Sequence, residues 1–150
     1  MDKQKIISLL PYSEPFLFVD TLEVVTEDEV VGHYTYREDA FFYQGHFKNH
    51  PVTPGVILTE TMAQIGLVCM GIYLLRDKIA NGLTPGMAFS SQAVDYYKAV
   101  YPGERVRVHA KKQYFRFGKL KCQVEMYNAQ GELVCKGVLA GMVGKGVRVG

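Results

Sequence analysis

Two ionisable side chains stand apart from their surroundings. Glu60 lies in Glu60-Thr61-Met62-Ala63-Gln64, within an otherwise strongly apolar stretch. A carboxylate buried there without a partner either carries a heavy desolvation cost or takes up a proton. His46 stands between Gly45 and Phe47, fourteen positions earlier. A histidine can accept a proton near neutral pH, and a carboxyl kept protonated by burial can return one. Such a pair suits a reaction that removes a proton at one atom and protonates a leaving group at another. Gln64, four residues after Glu60, falls on the same face of any helix there.

Plainer readings stay open for each residue. Glu60 can be a solvated carboxylate about one turn into a helix, favoured by the macrodipole, and His46 a loop histidine bonded to backbone. His33 and His109 sit in strand patterns and take that plain reading. His46 and His50 with Glu60 invite a metal site, but Pro51 and the loop deny the two histidines a shared helical face. The chain has no Gly-x-Ser-x-Gly elbow, phosphate loop or Gly-x-Gly-x-x-Gly turn. Cys69, deep in the apolar stretch, is a poor nucleophile because a thiolate is disfavoured there.

The elements that must position these groups follow from periodicity and turn chemistry. Ile6 to Leu10 forms a short helix ended by Pro11; Phe16 to Val19 opens a strand that continues to Val25; Val30 to Tyr36 returns antiparallel after a polar turn. From Ala40 to Pro54, Gly45, Pro51 and Pro54 break any regular pattern, so His46 lies on a shaped loop. Thr53 is placed to cap a helix with Pro54 at its first position, running from Val56 to about Ile79. Nearly apolar all round, this helix must be buried nearly all round. Strands follow at Met87–Tyr97, Arg105–Tyr114, Leu120–Met126 and Glu132–Val143, the middle two with strict apolar and polar alternation. The layout is α+β: one long central helix wrapped by a curved antiparallel sheet.

Composition agrees with one globular domain over 1–150, with 144–150 as a frayed tail. Residues are 48% hydrophobic and 21% charged, and the net charge of +2 lacks the basic density of a dedicated nucleic-acid binder. The longest apolar run, Ile65 to Leu75, is 11 residues and short of a membrane span. Neither nucleic acid nor membrane is expected as a partner. The three cysteines, odd in number and widely spaced, read as buried free thiols, which favours a reducing compartment, most simply the cytoplasm. The N-terminus shows no small-residue cleavage site, so no secretory leader is expected.

Three blocks in one register, Gln44-Gly45-His46-Phe47, Pro51-Val52-Thr53-Pro54-Gly55-Val56 and Glu60-Thr61-Met62-Ala63-Gln64, resemble the β-hydroxyacyl-acyl carrier protein dehydratases of hot-dog fold. Leu10-Pro11, Pro15 to Asp20 and Lys98 to Glu104 extend the resemblance over nearly the whole chain. Tyr12-Ser13 departs from a His-Arg pair frequent in close relatives, and Lys48 stands where proline is usual.

The resemblance implies dehydration of 3-hydroxyacyl thioesters to trans-2-enoyl thioesters in fatty-acid or polyene synthesis. His46 would remove the α-proton and Glu60 help protonate the departing hydroxyl, with Gly55, Val56 and Gln64 as the substrate-binding set. The Gly55 amide would hold the thioester oxygen, and Gln64 would orient Glu60. An enolate-like transition state gains most from donors and a dipole aimed at its oxygen, as a helix N-terminus supplies. No cofactor or metal is implied, because the phosphopantetheine arm belongs to the acyl carrier protein substrate. The resemblance further implies a homodimer whose sites pair His46 of one chain with Glu60 of the other, and leaves a trimer of dimers open. Carrier proteins are acidic, so Lys98, Arg105, Lys111, Lys112, Arg116, Lys119 and Lys121 are candidates for docking, equally readable as a solvated strand face. An acyl-thioester hydrolase using Glu60 to activate water, or a non-catalytic acyl-binding subunit, are the alternatives.

Overall fold

Two-residue alternation in the last third of the chain builds the sheet. In β5 (Lys119–Asn128) Leu120, Cys122, Val124 and Met126 are buried, and in β4 (Arg105–Arg116) so are Val106, Val108 and Ala110. With β1 (Thr21–Val25), β2 (Glu29–Thr35), β3 (Met87–Tyr96) and β6 (Leu133–Val143) they form one antiparallel sheet in the order β1-β2-β4-β5-β6-β3. This computed structural model describes residues 1–143; the expected tail, 144–150, lies outside them. Register shifts at Leu22/Val24, Phe89/Ser91, Lys112/Tyr114 and Met126/Tyr127 add local twist, which helps the sheet curl.

Inside the curl runs α2, Gly55–Leu74, after the short α1 (Lys3–Ser8) and before α3 (Arg76–Ala80). Its 20 residues would suffice by length to cross a membrane, beyond the 11-residue run visible in the sequence, but 83% of its apolar window is buried inside the fold. The helix widens to a π turn over Ala63–Val68. It packs tightly on the sheet at Gly66, where an added Cβ would lie 2.8 Å from Ala110 Cβ and 3.4 Å from Val124. Gly66→Val is therefore expected to destabilise the fold by about 1–3 kcal/mol through overpacking. Urea unfolding reads this out, and an unchanged midpoint would contradict the close approach.

Two expected local features are corrected. Thr53 does not cap α2: its hydroxyl is bonded to Tyr43, its amide donates to Val100, and Pro54 occupies the cap position. The segment Phe16–Asp20 is not strand, since β1 begins only at Thr21. Its first residues are instead met by a side chain, Phe18 N–H donating to Gln64 Oε1 and Gln64 Nε2 to Phe16 O, while Asp20 N–H reaches β2, at His33 O. The side chain removes the need for a ladder partner at Phe16 and Phe18.

The sheet leaves one long edge open. Among the described residues β3 pairs only with β6, and most residues from Phe89 to Tyr96 are exposed, including both of those aromatic rings. A ten-residue exposed edge strand is a ready template for another strand.

Candidate active site

The loop after β2 holds His46 by its own backbone. Val52 N–H donates to His46 O at 2.8 Å, and His46 Nδ1 lies 3.0 Å from Val52 O. A carbonyl can only accept, so Nδ1 carries the hydrogen and the neutral ring keeps its lone pair on Nε2. Phe47 stacks on the imidazole at 4.1 Å between centroids, and Phe47 and His50 exchange backbone hydrogen bonds that close the loop. The loop's far end is anchored in the core by Tyr43, whose hydroxyl meets that of Thr53 at 2.6 Å. The ring is thus oriented without engaging the atom that would act as base.

Glu60 lies about one and a half turns into α2, half-buried, in a groove of about 370 Å³ lined with Tyr12, Phe16, Ala63, Met87 and Phe89. Burial pushes its carboxyl above the ordinary range, while a hydrogen bond from Gln64 Nε2 to Glu60 Oε2, at 3.1 Å, pulls the other way. Burial, and next the Glu60 charge, push the Tyr12 phenol up as well, so it stays protonated beside the carboxyl. Past Val68 and Met87 the groove leads towards a narrow apolar crevice of about 10 Å³ lined by Pro11, Ile72, Leu75 and Val143.

Gln64 is fully buried, and its amide is used three times within the protein: from Phe18 N–H, to Phe16 O and to Glu60. It reaches the site through Glu60, which it bonds as its place four residues on suggests, and through the Phe16 segment. Gln64→Leu is expected to cost about 2–4 kcal/mol, because it strands a buried amide and carbonyl and frees Glu60. Thermal unfolding checks this, and a loss within measurement error would show that other groups satisfy Phe16 and Phe18.

At the start of α2 the N–H groups of Gly55 and Val56 have no hydrogen-bond partner among the described residues. The Val56 side chain, 74% exposed, stands outside the core. Two free donors at the positive end of a helix suit an oxygen that gains negative charge.

Within one chain these parts do not all meet. Among the described residues no hydrogen bond joins His46 to Glu60, and the neighbours of His46, Phe47 and His50, line a hollow of about 460 Å³ with Pro51, Val52 and Tyr101, apart from the Glu60 groove. Among the described residues no cluster of three or more His, Cys, Asp or Glu is placed to hold a metal. The thiols of Cys69, Cys122 and Cys135 are buried and free, each pushed up by burial.

Comparison with known proteins adds the family. The FabA-like domain matches residues 10–140. The chain belongs to the FabA-like family. Within it, the chain is similar to the 3-hydroxyacyl-acyl-carrier-protein dehydratase FabZ of Clostridium perfringens, 33% identical over 148 residues, 96% of this chain and 99% of that relative. Among solved structures it is similar to the dehydratase heterocomplex ApeI:P from Xenorhabdus doucetiae, with TM-score 0.76, 14% identity, and 91% of this chain and 89% of that one covered. It is similar also to thioesterase HI1161 from Haemophilus influenzae, with TM-score 0.69, 15% identity, and coverage of 95% and 90%. At these identities the two structures share the hot-dog fold with the chain, as the strand order and central helix require.

The Glu60 groove also includes residues that the sequence did not single out for it. Phe16, Met87 and Phe89 join Tyr12 in lining the Glu60 groove. The sequence marked Met87 and Phe89 only as positions in a strand, and nothing local signals that β3 runs beside α2.

Proposed function

We propose that this chain dehydrates 3-hydroxyacyl thioesters borne by an acyl carrier protein, giving trans-2-enoyl thioesters in fatty-acid or related unsaturated acyl synthesis. The observation that carries it is the complementary state of two groups. His46 is held through Nδ1 with its Nε2 lone pair unengaged, and Glu60 is biased towards its protonated form by an apolar groove. Similarity to relatives named as 3-hydroxyacyl-carrier dehydratases supports the substrate class.

In this reading His46 Nε2 takes the α-proton, and the electron pair moves towards the thioester carbon. The thioester oxygen, now enolate-like, is met by the free Gly55 and Val56 amides. As the C–O bond breaks, Glu60 gives its proton to the leaving hydroxyl and water departs. The acyl tail follows the groove past Ala63 and Met87. Both proton transfers are supplied by side chains, so we propose that no cofactor is needed beyond the carrier's own arm.

Because one chain separates His46 from Glu60, we propose a homodimer in which β3 edges pair and each site takes one residue from each copy. The open β3 edge supports this, while a further trimer of dimers has no specific support in the fold. Of the basic docking candidates, Lys98 pairs with Glu132 and Lys112 with Asp28, while Arg116 stacks on Tyr114. Arg105 and Lys111 on β4 and Lys119 on β5 carry no ion pair among the described residues, and Lys121 on β5 lies over the Tyr114 ring, more loosely than Arg116, so we propose carrier docking on this face. Three buried free thiols support a cytoplasmic setting.

The deciding experiment supplies a 3-hydroxyacyl thioester and follows enoyl absorbance against free-thiol release. Enoyl product without thiol supports dehydration. Thiol without enoyl product would establish the hydrolase reading suggested by the same fold, and neither product would leave an acyl-binding subunit.

A further inference from the structure

The first turn of α2 presents the two free amides, yet it has no side-chain cap, because Pro54 at the cap position offers none. First turns fray unless something ties them down, and a donor that stabilises a transition state has to be held still. What ties this one down is a residue of β3. The ring of Tyr96 lies over the Gly55 Cα: a Cβ built on Gly55 would stand 3.2 Å from two of its ring carbons. The Tyr96 hydroxyl donates to Gly55 O at 3.0 Å. A carbonyl only accepts, which fixes the phenol hydrogen on that bond, so the buried Thr59 hydroxyl is the donor in the short hydrogen bond between Thr59 and Tyr96.

We infer that Tyr96 is a positioning residue for dehydration: by clamping the Gly55–Val56 peptide plane through the Gly55 carbonyl and covering the Gly55 Cα, it holds the Val56 and Gly55 N–H groups towards the thioester oxygen. The inference rests on the dehydration proposed above and on the Gly55 and Val56 amides as oxygen donors. It gives the glycine a reason, since a Cβ at 55 would crowd the Tyr96 ring and force it to shift against its bond to the carbonyl. It also explains why a ring that is 47% exposed is nevertheless bonded twice within the chain.

The chain Thr59 to Tyr96 to Gly55 makes the test specific. Tyr96→Phe keeps the ring and removes both bonds. It is expected to lower kcat on the order of tenfold, less than the loss of a whole oxyanion donor, with KM within about twofold. The second readout is the carbonyl stretch of a saturated acyl-coenzyme A thioester, labelled with carbon-13 at the carbonyl and bound to the protein. Wild type is expected to shift that stretch away from its value in water, and Tyr96→Phe to move it part of the way back. Thr59→Ser, which keeps the hydroxyl, should retain wild-type kcat and carbonyl shift; Thr59→Val should lose part of both.

A purely structural role would lower the melting temperature and leave the carbonyl stretch and the kcat of folded enzyme unchanged, and that outcome overturns the inference. So does a fall in kcat with an unaltered stretch. If the wild type binds the labelled thioester but turns over no 3-hydroxyacyl substrate, the dehydration reading fails while the carbonyl comparison still judges the clamp.

Discussion

His46→Ala is expected to reduce dehydration turnover by about 10²–10⁴-fold, the usual contribution of a positioned general base. Stability should change little. The imidazole makes one hydrogen bond, to Val52 O, and stacks on an exposed Phe47, so its removal costs on the order of 1 kcal/mol. The Val52 N–H to His46 O bond is backbone and survives the substitution, which keeps the loop in place. Proton removal belongs to the transition state, so kcat and kcat/KM are expected to fall together, with binding of an unreactive acyl thioester preserved. Steady-state kinetics on the purified variant, with thermal unfolding as the control, decide it. A folded variant within tenfold of wild type would show that another group, or water alone, removes the α-proton.

How legible these parts were in the sequence depends on how local their determinants are. The β4 and β5 alternation is set residue by residue, so the strands and their buried sides follow from Val106, Val108, Leu120 and Val124 directly. The apolar helix and the His46 loop were equally visible, because Pro and Gly punctuation and a continuous apolar run are short-range signals. The helix cap was not. Thr53 has the right chemistry, but a buried Tyr43, ten residues away, takes its hydroxyl. The Phe16–Asp20 strand failed for a similar reason: Gln64, 46 residues from Phe18, supplies the hydrogen bonds that a neighbouring strand would have given.

Strand order is a harder case. β3 follows the helix in sequence but crosses to the far edge beside β6, and that pairing depends on shapes such as Gly137, where an added Cβ would collide with the Ala93 and Val94 backbone. The crossing brings Phe89 and Tyr96 alongside α2, one into the Glu60 groove and one onto Gly55. The motif blocks named His46, Gly55 and Glu60 but carry no signal for the residues on β3 that surround them. Two of the three lie on one helix, and the third lies on a loop that the same chain holds away from the Glu60 groove.

That separation makes Glu60→Gln the most informative substitution. Turnover is expected to fall by about 10²–10⁴-fold, since an amide cannot protonate the leaving hydroxyl. Stability is expected to move the other way. Burial raises the Glu60 carboxyl above its ordinary value of 4.5, so the folded state holds the proton more tightly than the unfolded state does. The stabilisation from that proton is complete below 4.5 and is lost as pH rises through the folded value, leaving a partly buried charge at neutral pH. Glutamine is uncharged throughout and avoids the loss. The variant should therefore melt higher than wild type at pH 7, with the difference shrinking towards zero near pH 4; a variant that melts lower at pH 7 would mean that the charge is well solvated. Mixing the inactive Glu60→Gln and His46→Ala proteins under subunit exchange then tests where the pair is assembled. Random association puts half the molecules in heterodimers, each with one intact site of two, so about a quarter of wild-type activity should return if the site spans two chains. Exchange without recovery would place both groups on one chain, and the loop of His46 would then have to move to reach the groove.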